Sequence, residues 1–376
     1  MFKRVYFDNA ASSYPKPQKV LYAVRDILNE NTSNAGRSGH YMSEKLAAKI
    51  YDVRKKIAAF FGTDETLVVF TQNATHAINL LFFGLLKSGD EVIISDLEHN
   101  AVLRPLTALQ RQGVSLKIFK TGENSIKNCE ELITNKTKLI FVTGASNVTG
   151  EVLPVPELAA VAKKHGIYFG VDAAQSAGVI SYNLQNDNID FLCATAHKSL
   201  MGIQGAGFLA MKNATEIMPL IYGGTGFESL NPEQPLILPE GLESGTLMSP
   251  AIIGLGAAID YISENKKSIY EKEKMLYSYV YDKLSANNLI IIYSQKTFGV
   301  PTLSFNVGNK NSENVCEYLS NNGVCLRGGY HCALLAHQKL GTTDQGVCRL
   351  SFSPFNNISE IDYFCDLLRP NKISNL

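Results

Sequence analysis

The chain has no net charge. Its 35 Lys and Arg balance 35 Asp and Glu, so no global field draws it to nucleic acid or an anionic membrane. Basic runs such as Arg54-Lys55-Lys56 are short and read as a solvated helix face. No stretch approaches the ~18 uninterrupted apolar residues of a membrane span. The opening, Met1-Phe2-Lys3-Arg4-Val5-Tyr6-Phe7-Asp8, enters a strand pattern without the apolar core of a signal peptide. Cysteine is scarce and odd in number, seven residues at 129, 193, 316, 325, 332, 348 and 365, with no C-x-x-C pair. That excludes a disulfide framework and a recognised zinc spacing, and predicts reduced thiols in the cytoplasm. Internal repeats and low-complexity tracts are missing too. No G-x-G-x-x-G follows the first strand of the α/β region, which removes a dinucleotide-binding reading.

What is present is an ordinary globular composition, 45% hydrophobic and 19% charged, in a chain of 376 residues, long enough to divide into two domains. From about 66 to 211, short apolar strands alternate with amphipathic helices. Thr66–Phe70, Glu91–Ser95, Ser115–Phe119, Lys138–Val142, Gly166–Val171, Ile189–Ala194 and Gly207–Met211 are the strands. Helices are expected from near Ala74, from His99 to Gln112, and from near Pro156. The pattern predicts a mainly parallel α/β sheet covered on both faces, its site at the strand C-terminal ends. Beyond 250 the character changes. Ala251–Asn287 is helical with a break near Asn265, followed by strand-like runs at 289–293, 301–307 and 347–352 and helices near 313–321 and 358–368. The expected division is a large α/β domain over 15–250 and a smaller α+β domain from 1–14 with 251–376. The Gly- and Pro-rich stretch 223–247 reads as an ordered active-site or interface loop.

Two residues suggest the chemistry. Asp172 closes one apolar strand in Val171-Asp172-Ala173-Ala174-Gln175, and Lys198 follows another in Thr195-Ala196-His197-Lys198-Ser199. Pyridoxal phosphate needs such a pair: an amine for a Schiff base with its aldehyde, and a carboxylate to keep its ring nitrogen protonated as an electron sink. Its phosphate needs amide donors at a helix N-terminus with hydroxyl or basic groups nearby. Gln72-Asn73-Ala74-Thr75-His76 lies between strand and helix and offers Ala74 and Thr75; Asn73 can equally be a plain N-cap. Thr195 and His197 are further donors. Asn147 follows the strand ending at Val142, where its amide can hold the cofactor's phenolic oxygen or the substrate. Gln175 can reach that same oxygen. His99, after strand 91–95, can stack on the ring and relay protons.

Tyr6-Phe7-Asp8-Asn9-Ala10-Ala11, Phe70 to Asn79, Glu98-His99, Ser146-Asn147-Val148-Thr149-Gly150, Val171 to Gln175 and His197-Lys198 together resemble the class V aminotransferase superfamily of fold-type I pyridoxal phosphate enzymes. Arg327-Gly328-Gly329-Tyr330-His331-Cys332-Ala333 resembles the loop of cysteine desulfurases and selenocysteine lyases, in the compact form of the SufS-like, group II branch. The resemblance implies a seven-stranded, mostly parallel large domain. It implies Lys198 as the Schiff-base lysine, Asp172 as the pyridinium partner, His99 as the stacking group and Gln175 as the phenolate donor. Thr75 and His197 would bind phosphate, and Thr246 would reach the phosphate of a neighbouring subunit in a homodimer. Arg349 would clamp the substrate carboxylate as a bidentate fork, with Asn147, Arg327 and Ala10 completing the substrate side. The sequence also departs from the family. Asn34–His40 follows its N-terminal active-site segment loosely, Asn73-Ala74 replaces a common Gly-Thr pair, and Thr195 stands where serine is usual.

Cys332 selects the reaction. A thiolate in a Gly-rich turn beside His331 and Arg327 is placed to be stabilised and exposed, whereas a metal reading through His331, Cys332 and His337 lacks a fourth ligand. The expected activity is conversion of L-cysteine to L-alanine, with sulfur left on Cys332 as a persulfide for an acceptor protein. The rivals are a lyase acting on L-selenocysteine, a transaminase that dispenses with Cys332, and a non-catalytic scaffold.

Overall fold

The computed structural model describes residues 4–36 and 38–373. Met1–Lys3 of the opening strand pattern and Arg37 of the Asn34–His40 segment lie outside the described residues. In chain order the elements are β1 (Val5–Tyr6), α1 (Gln18–Glu30), α2 (Tyr41–Phe61), β2 (Val68–Thr71), α3 (Ala74–Leu85), β3 (Glu91–Ser95), α4 (Asn100–Gln110), β4 (Ser115–Phe119), α5 (Ser125–Glu130), β5 (Thr137–Thr143), α6 (Val155–His165), β6 (Tyr168–Asp172), β7 (Phe191–Thr195) and β8 (Gly207–Met211). After a long loop come α7 (Ser249–Ser285), β9 (Ile290–Ile292), β10 (Thr302–Val307), α8 (Ser312–Asn321), β11 (Val324–Cys325), α9 (Leu334–Leu340), β12 (Cys348–Ser351), α10 (Ile358–Leu367) and α11 (Pro370–Ile373). No helix of the described residues is long and apolar enough to cross a membrane.

Seven strands form the large sheet in the order β2-β8-β7-β6-β5-β3-β4. Only β8 runs against the rest, pairing antiparallel with β7 and β2. The strand sequences explain why the sheet is covered on both sides. In β5, β6 and β7 nearly every residue is buried, so neither face can meet water. Alternate residues enter two separate cores. Ile140, Val142, Phe169 and Val171 join the cluster under α2, α6 and α7, while Leu139, Phe141 and Phe191 join the one under α3 and α4. Parallel strands aligned this way end together, so Thr71, Ser95, Thr143, Asp172 and Thr195 finish at one edge of the sheet.

The smaller domain has a three-stranded sheet, β12-β10-β9, and the parallel pair β1-β11. The N-terminal strand thus docks on the C-terminal part, with Val5 opposite Val324 and Tyr6 opposite Cys325. Phe7 packs edge-on against Phe352 and Phe364, at 5.7 and 5.9 Å between ring centroids. α7 bridges both cores, giving Ile252, Leu255 and Ile259 to the large one and Leu276, Val280 and Leu284 to the small. The expected break near Asn265 does not occur, and α7 runs unbroken through 37 residues. The Asn265 amide donates to the Tyr261 carbonyl one turn back (2.9 Å). Its polar group is therefore satisfied inside the helix rather than competing with it.

One glycine fixes how the turn before α3 meets the sheet. A Cβ added to Gly207 would lie 2.6 Å from the Asn73 carbonyl carbon and 2.7 Å from the Ala194 oxygen. Both are backbone atoms that cannot swing away. Gly207→Ala is therefore expected to lower stability by about 1–3 kcal/mol through overpacking and to shift the Asn73 turn. Denaturant unfolding checks the first effect and amide hydrogen exchange at the start of α3 the second; a variant unchanged in both would show that the turn adapts freely.

Candidate active site

The edge where the strands end gathers almost every residue singled out from sequence. Asp172, last in β6, is buried, and its carboxylate accepts from the Ala174 amide (2.9 Å). Burial raises its pKa, while the Ala174 bond and the nearby Lys198 charge pull it back toward the ionised form. The Lys198 amine makes no hydrogen bond or ion pair among the described residues, while its carbonyl accepts from the Met201 amide (2.8 Å). Desolvation pushes its amine down to about 8 against the pull of Asp172, and Arg349 and Arg327 push the same way. A buried amine held that low is still mostly protonated at neutral pH, but its neutral, nucleophilic fraction is far larger than that of an ordinary lysine.

His99 is the N-cap of α4. Its Nδ1 accepts from the Ala101 amide (2.9 Å), so the ring proton resides on Nε2. Burial, with the charges of Lys198, Arg327 and Arg349, drives its pKa down to about 4 and keeps the ring neutral. Gln175 donates from Nε2 to the Ala10 carbonyl (3.0 Å), and the Ala10 amide donates to Ser351 Oγ (2.8 Å). The N-terminal strand's exit is thereby stitched to the β6 edge.

A cavity of about 610 Å³ lies at the start of α3, lined by Asn73, His76, His197, Gln204 and Thr246 among others. Asn73 caps the helix, accepting from the His76 amide (2.9 Å). Thr75 is exposed on the first turn beside the buried Ala74. Thr195, buried at the end of β7, lies 3.5 Å from the Ala206 carbonyl. His197 Nδ1 is buried without a partner, an unmet polar atom that costs stability unless a ligand meets it. A helix N-terminus, a free imidazole nitrogen and hydroxyls around one cavity suit a phosphate. With the Asp172 carboxylate and the Lys198 amine nearby, the donor set fits pyridoxal phosphate. Thr246 is carried here by a loop pinned through Glu243, whose carboxylate takes two bonds from Arg54 (2.8 and 2.9 Å) in a buried bidentate pair.

Arg349, in β12, is 1% exposed. It donates to Asp8 Oδ1 (2.7 Å) and to the Asn147 carbonyl (3.1 Å), and its Nε lacks a partner. Arg327 faces it across an antiparallel bridge. Asn147 donates from Nδ2 to the His331 carbonyl (2.8 Å), and its Oδ1 is left unpaired.

Cys332 is the only exposed cysteine of the seven, all of which are free thiols. His331 and Cys332 both have positive φ, 48° and 55°, a conformation that non-glycine residues rarely adopt. Such strain costs of order 1–3 kcal/mol per residue, and the loop is bound tightly enough to hold it. The Asn100 amide donates to the Cys332 carbonyl (2.7 Å), and the His331 ring lies 3.0 Å from the Val347 carbonyl. A thiolate at Cys332 would favour the Lys198 ammonium through space, the weakest of the influences on that amine. Cys348 is buried in β12 and Cys325 half-buried in β11. Among the described residues no group of three or more His, Cys, Asp or Glu is placed to hold a metal ion.

The model of the class-V aminotransferase family matches residues 5–364. The chain belongs to that family. A cysteine desulfurase of Haloferax volcanii is 31% identical over 97% of this chain and 88% of its own. One from Salmonella agona is 31% identical over 95% and 90%. Among solved structures, the apo cysteine desulfurase of Thermococcus onnurineus superposes with a TM-score of 0.91 at 30% identity, covering 99% of this chain and 95% of that one. The Escherichia coli cysteine desulfurase CsdA, in an S-sulfonic acid form, gives 0.88 at 26% identity over 99% and 95%.

Two residues beside the site carry weight that the sequence reading did not assign. Asp8 stood only as a motif letter, yet it pairs with Arg349 across 341 positions, a contact no local pattern announces. Glu98 is wholly buried and accepts from the Thr143 amide (2.8 Å) and from Ser95, tying β3 to β5. Burial pushes its carboxyl up to about 8, so it is largely protonated at neutral pH.

Proposed function

We propose that the protein is a pyridoxal phosphate-dependent cysteine desulfurase, converting L-cysteine to L-alanine and leaving the sulfur on Cys332. The observation that carries this is the exposed Cys332 thiol, on a strained and tightly bound loop, within electrostatic reach of the partnerless amine of Lys198. When bound, the cofactor supplies an electrophilic carbon for the substrate amine and a ring that accepts the electron pair of the Cα–H bond. Asp172 and Lys198 would hold its ring nitrogen and its aldehyde, Gln175 and Asn147 would serve its phenolic oxygen or the substrate, and Ala74, Thr75, Thr195, His197 and Thr246 would bind the phosphate.

Arg349, with Arg327 and the backbone near Ala10, binds the substrate carboxylate; its alignment by Asp8 and Asn147 precedes substrate arrival, which lowers the ordering cost. Lys198 Nζ, unprotonated, takes the α-proton. His99, neutral with its proton on Nε2, donates from that nitrogen to orient the substrate thiol, whose own proton travels with the transferred sulfur. Cys332 Sγ, as thiolate, attacks the substrate sulfur. A new S–S bond forms, the C–S bond breaks, and its electron pair stays with the carbon fragment, which gains a proton and leaves as alanine. Free thiols throughout suit a reducing cytoplasmic compartment.

Product analysis on purified protein tests the reading. Alanine and sulfide in equal amounts from L-cysteine with a thiol present is the expected result. Turnover confined to L-selenocysteine would favour the lyase, and an amino-group transfer without sulfide would favour a transaminase.

The subunit arrangement belongs to the same proposal. The loop 223–247 and its flanks expose Ile221, Tyr222, Phe227, Leu230, Leu236, Ile237 and Met248, an apolar run that a two-fold partner would cover. Sedimentation is expected to give a homodimer. Thr246→Val is expected to weaken cofactor retention by about 1–3 kcal/mol without lowering the unfolding midpoint, and a monomer with unchanged retention would refute the shared site. We further assign residues 1–14 with 251–376 to the small domain and 15–250 to the large one, supported by the pairing of β1 with β11 and of Asp8 with Arg349.

A further inference from the structure

A second groove, of about 720 Å³, opens beside Cys332 between α4 and the segment 330–337, and it contains none of Lys198, Asp172, His99 or Arg349. Its α4 wall is a single stripe. Asn100, Leu103, Arg104, Thr107 and Arg111 line it, spaced three and four apart as one helix face requires. The opposite wall presents Tyr330 and Leu334, large apolar side chains 48% and 49% exposed. No aspartate or glutamate lines the groove. Arg104 and Arg111 are exposed, and the arginines that form ion pairs among the described residues lie elsewhere, at 25, 54, 349 and 369. Two uncompensated guanidinium groups along an apolar trough are complementary to an acidic, partly apolar chain, and they select against a basic one.

Resting on the desulfurase reading, we propose that this groove is the docking site for the acceptor protein, which enters as an extended acidic segment with its own cysteine at the Cys332 end. The Cys332 carbonyl is anchored at the first residue of α4, so the thiol marks one end of the stripe and Arg111 the other. From Asn100 to Arg111 the helix rises about 16 Å, the span of about five extended residues. Acidic side chains therefore belong about two and about five positions from the acceptor cysteine, opposite Arg104 and Arg111. In the transfer, the acceptor thiolate attacks the outer sulfur of the Cys332 persulfide. A new S–S bond forms on the acceptor, the old one breaks, and its electron pair returns to Cys332 Sγ as thiolate. The sulfur keeps its oxidation level, so no oxidant or reductant is consumed.

The experiment loads the holoenzyme with ³⁵S-cysteine and confirms the label on Cys332. It then offers a cysteine peptide with glutamates at those two spacings, the same peptide with lysines there, and dithiothreitol. The expected result is label transfer to the acidic peptide with a KM at least about tenfold below that of the basic one, a gap that closes as salt screens it. Arg111→Glu, alone and with Arg104→Gln, removes that preference and leaves turnover with dithiothreitol unchanged, which shows the variant folded and active. Equal KM values for the two peptides, or a preference that survives Arg111→Glu, overturns the docking assignment and leaves the desulfurase reading standing. No label on Cys332 overturns both.

Discussion

Cys332→Ser is expected to abolish sulfide and alanine formation from L-cysteine, with a loss of at least about a thousandfold, while the purified protein stays yellow and still changes its spectrum when cysteine is added. The split follows from where the residue stands. Asp172, Lys198, His99 and the phosphate cavity are built on the sheet edge, and none of their hydrogen bonds involves the Cys332 side chain. Arg349 is likewise held by Asp8 and Asn147. Binding and proton abstraction therefore survive the change. The sulfur-accepting step does not, because a serine hydroxyl is not ionised near neutral pH and oxygen is a poor nucleophile toward sulfur. Losses of this size are the rule when a nucleophile is deleted from an otherwise intact site. Six other cysteines offer no substitute, being buried or half-buried. Undiminished sulfide release by this variant, measured beside a spectral titration, would move the chemistry away from Cys332 and toward transamination.

Much of the site was legible in the sequence because its residues sit at strand ends, and strand ends are what apolar runs mark best. Asp172, Thr195 with Lys198, and Asn147 each follow a stretch of buried residues that could be nothing else in an α/β chain. A parallel sheet brings such ends together without further information. The strands were readable for the same reason, as short apolar runs, although the edge strand β4 is only partly buried and no helix separates β6, β7 and β8. What escaped lies in contacts between distant segments. The expected division puts Asp8 and Arg349 in one domain, yet nothing local to either residue predicts that they pair. Glu98 was visible as a letter beside His99. Its burial depends on β3 lying next to β5, a neighbour relation set by sheet order rather than by its own strand. The helix break expected at Asn265 failed on a smaller point. An asparagine in a helix can satisfy its amide on the preceding turn, and packing on both flanks of α7 outweighs the weak local preference. The left-handed pair at His331 and Cys332 was hinted at by Gly328-Gly329, though the strained residues are not the glycines themselves.

Lys198→Ala is expected to remove activity altogether and, with it, stable retention of pyridoxal phosphate. The variant should bind the cofactor only through its phosphate and ring contacts, so the yellow colour washes out on gel filtration while the wild type keeps it. Two functions disappear at once. One is the amine that secures the cofactor. The other is the base for the α-proton, a role worth about 10² to 10⁴-fold by itself. His99 cannot stand in, since its Nδ1 is committed to the Ala101 amide and its pKa lies near 4. Removing a cation from beside Asp172 has a second consequence. Burial raises the Asp172 pKa, and the Lys198 charge is one of the two influences that lower it, so the carboxylate protonates more readily in the variant and cofactor affinity falls further on the acid side. In the wild-type apoprotein the sign is set by the amine. Its pKa is depressed to about 8, and the unprotonated form reacts, so the rate of cofactor incorporation should climb as pH rises through that value and then level off. Stopped-flow absorbance across pH 6 to 10 (roughly two units either side of the depressed value) measures this. A rate that is flat across the range, or an alanine variant that keeps its colour and turns over cysteine, would mean that Lys198 is neither the anchor nor the base.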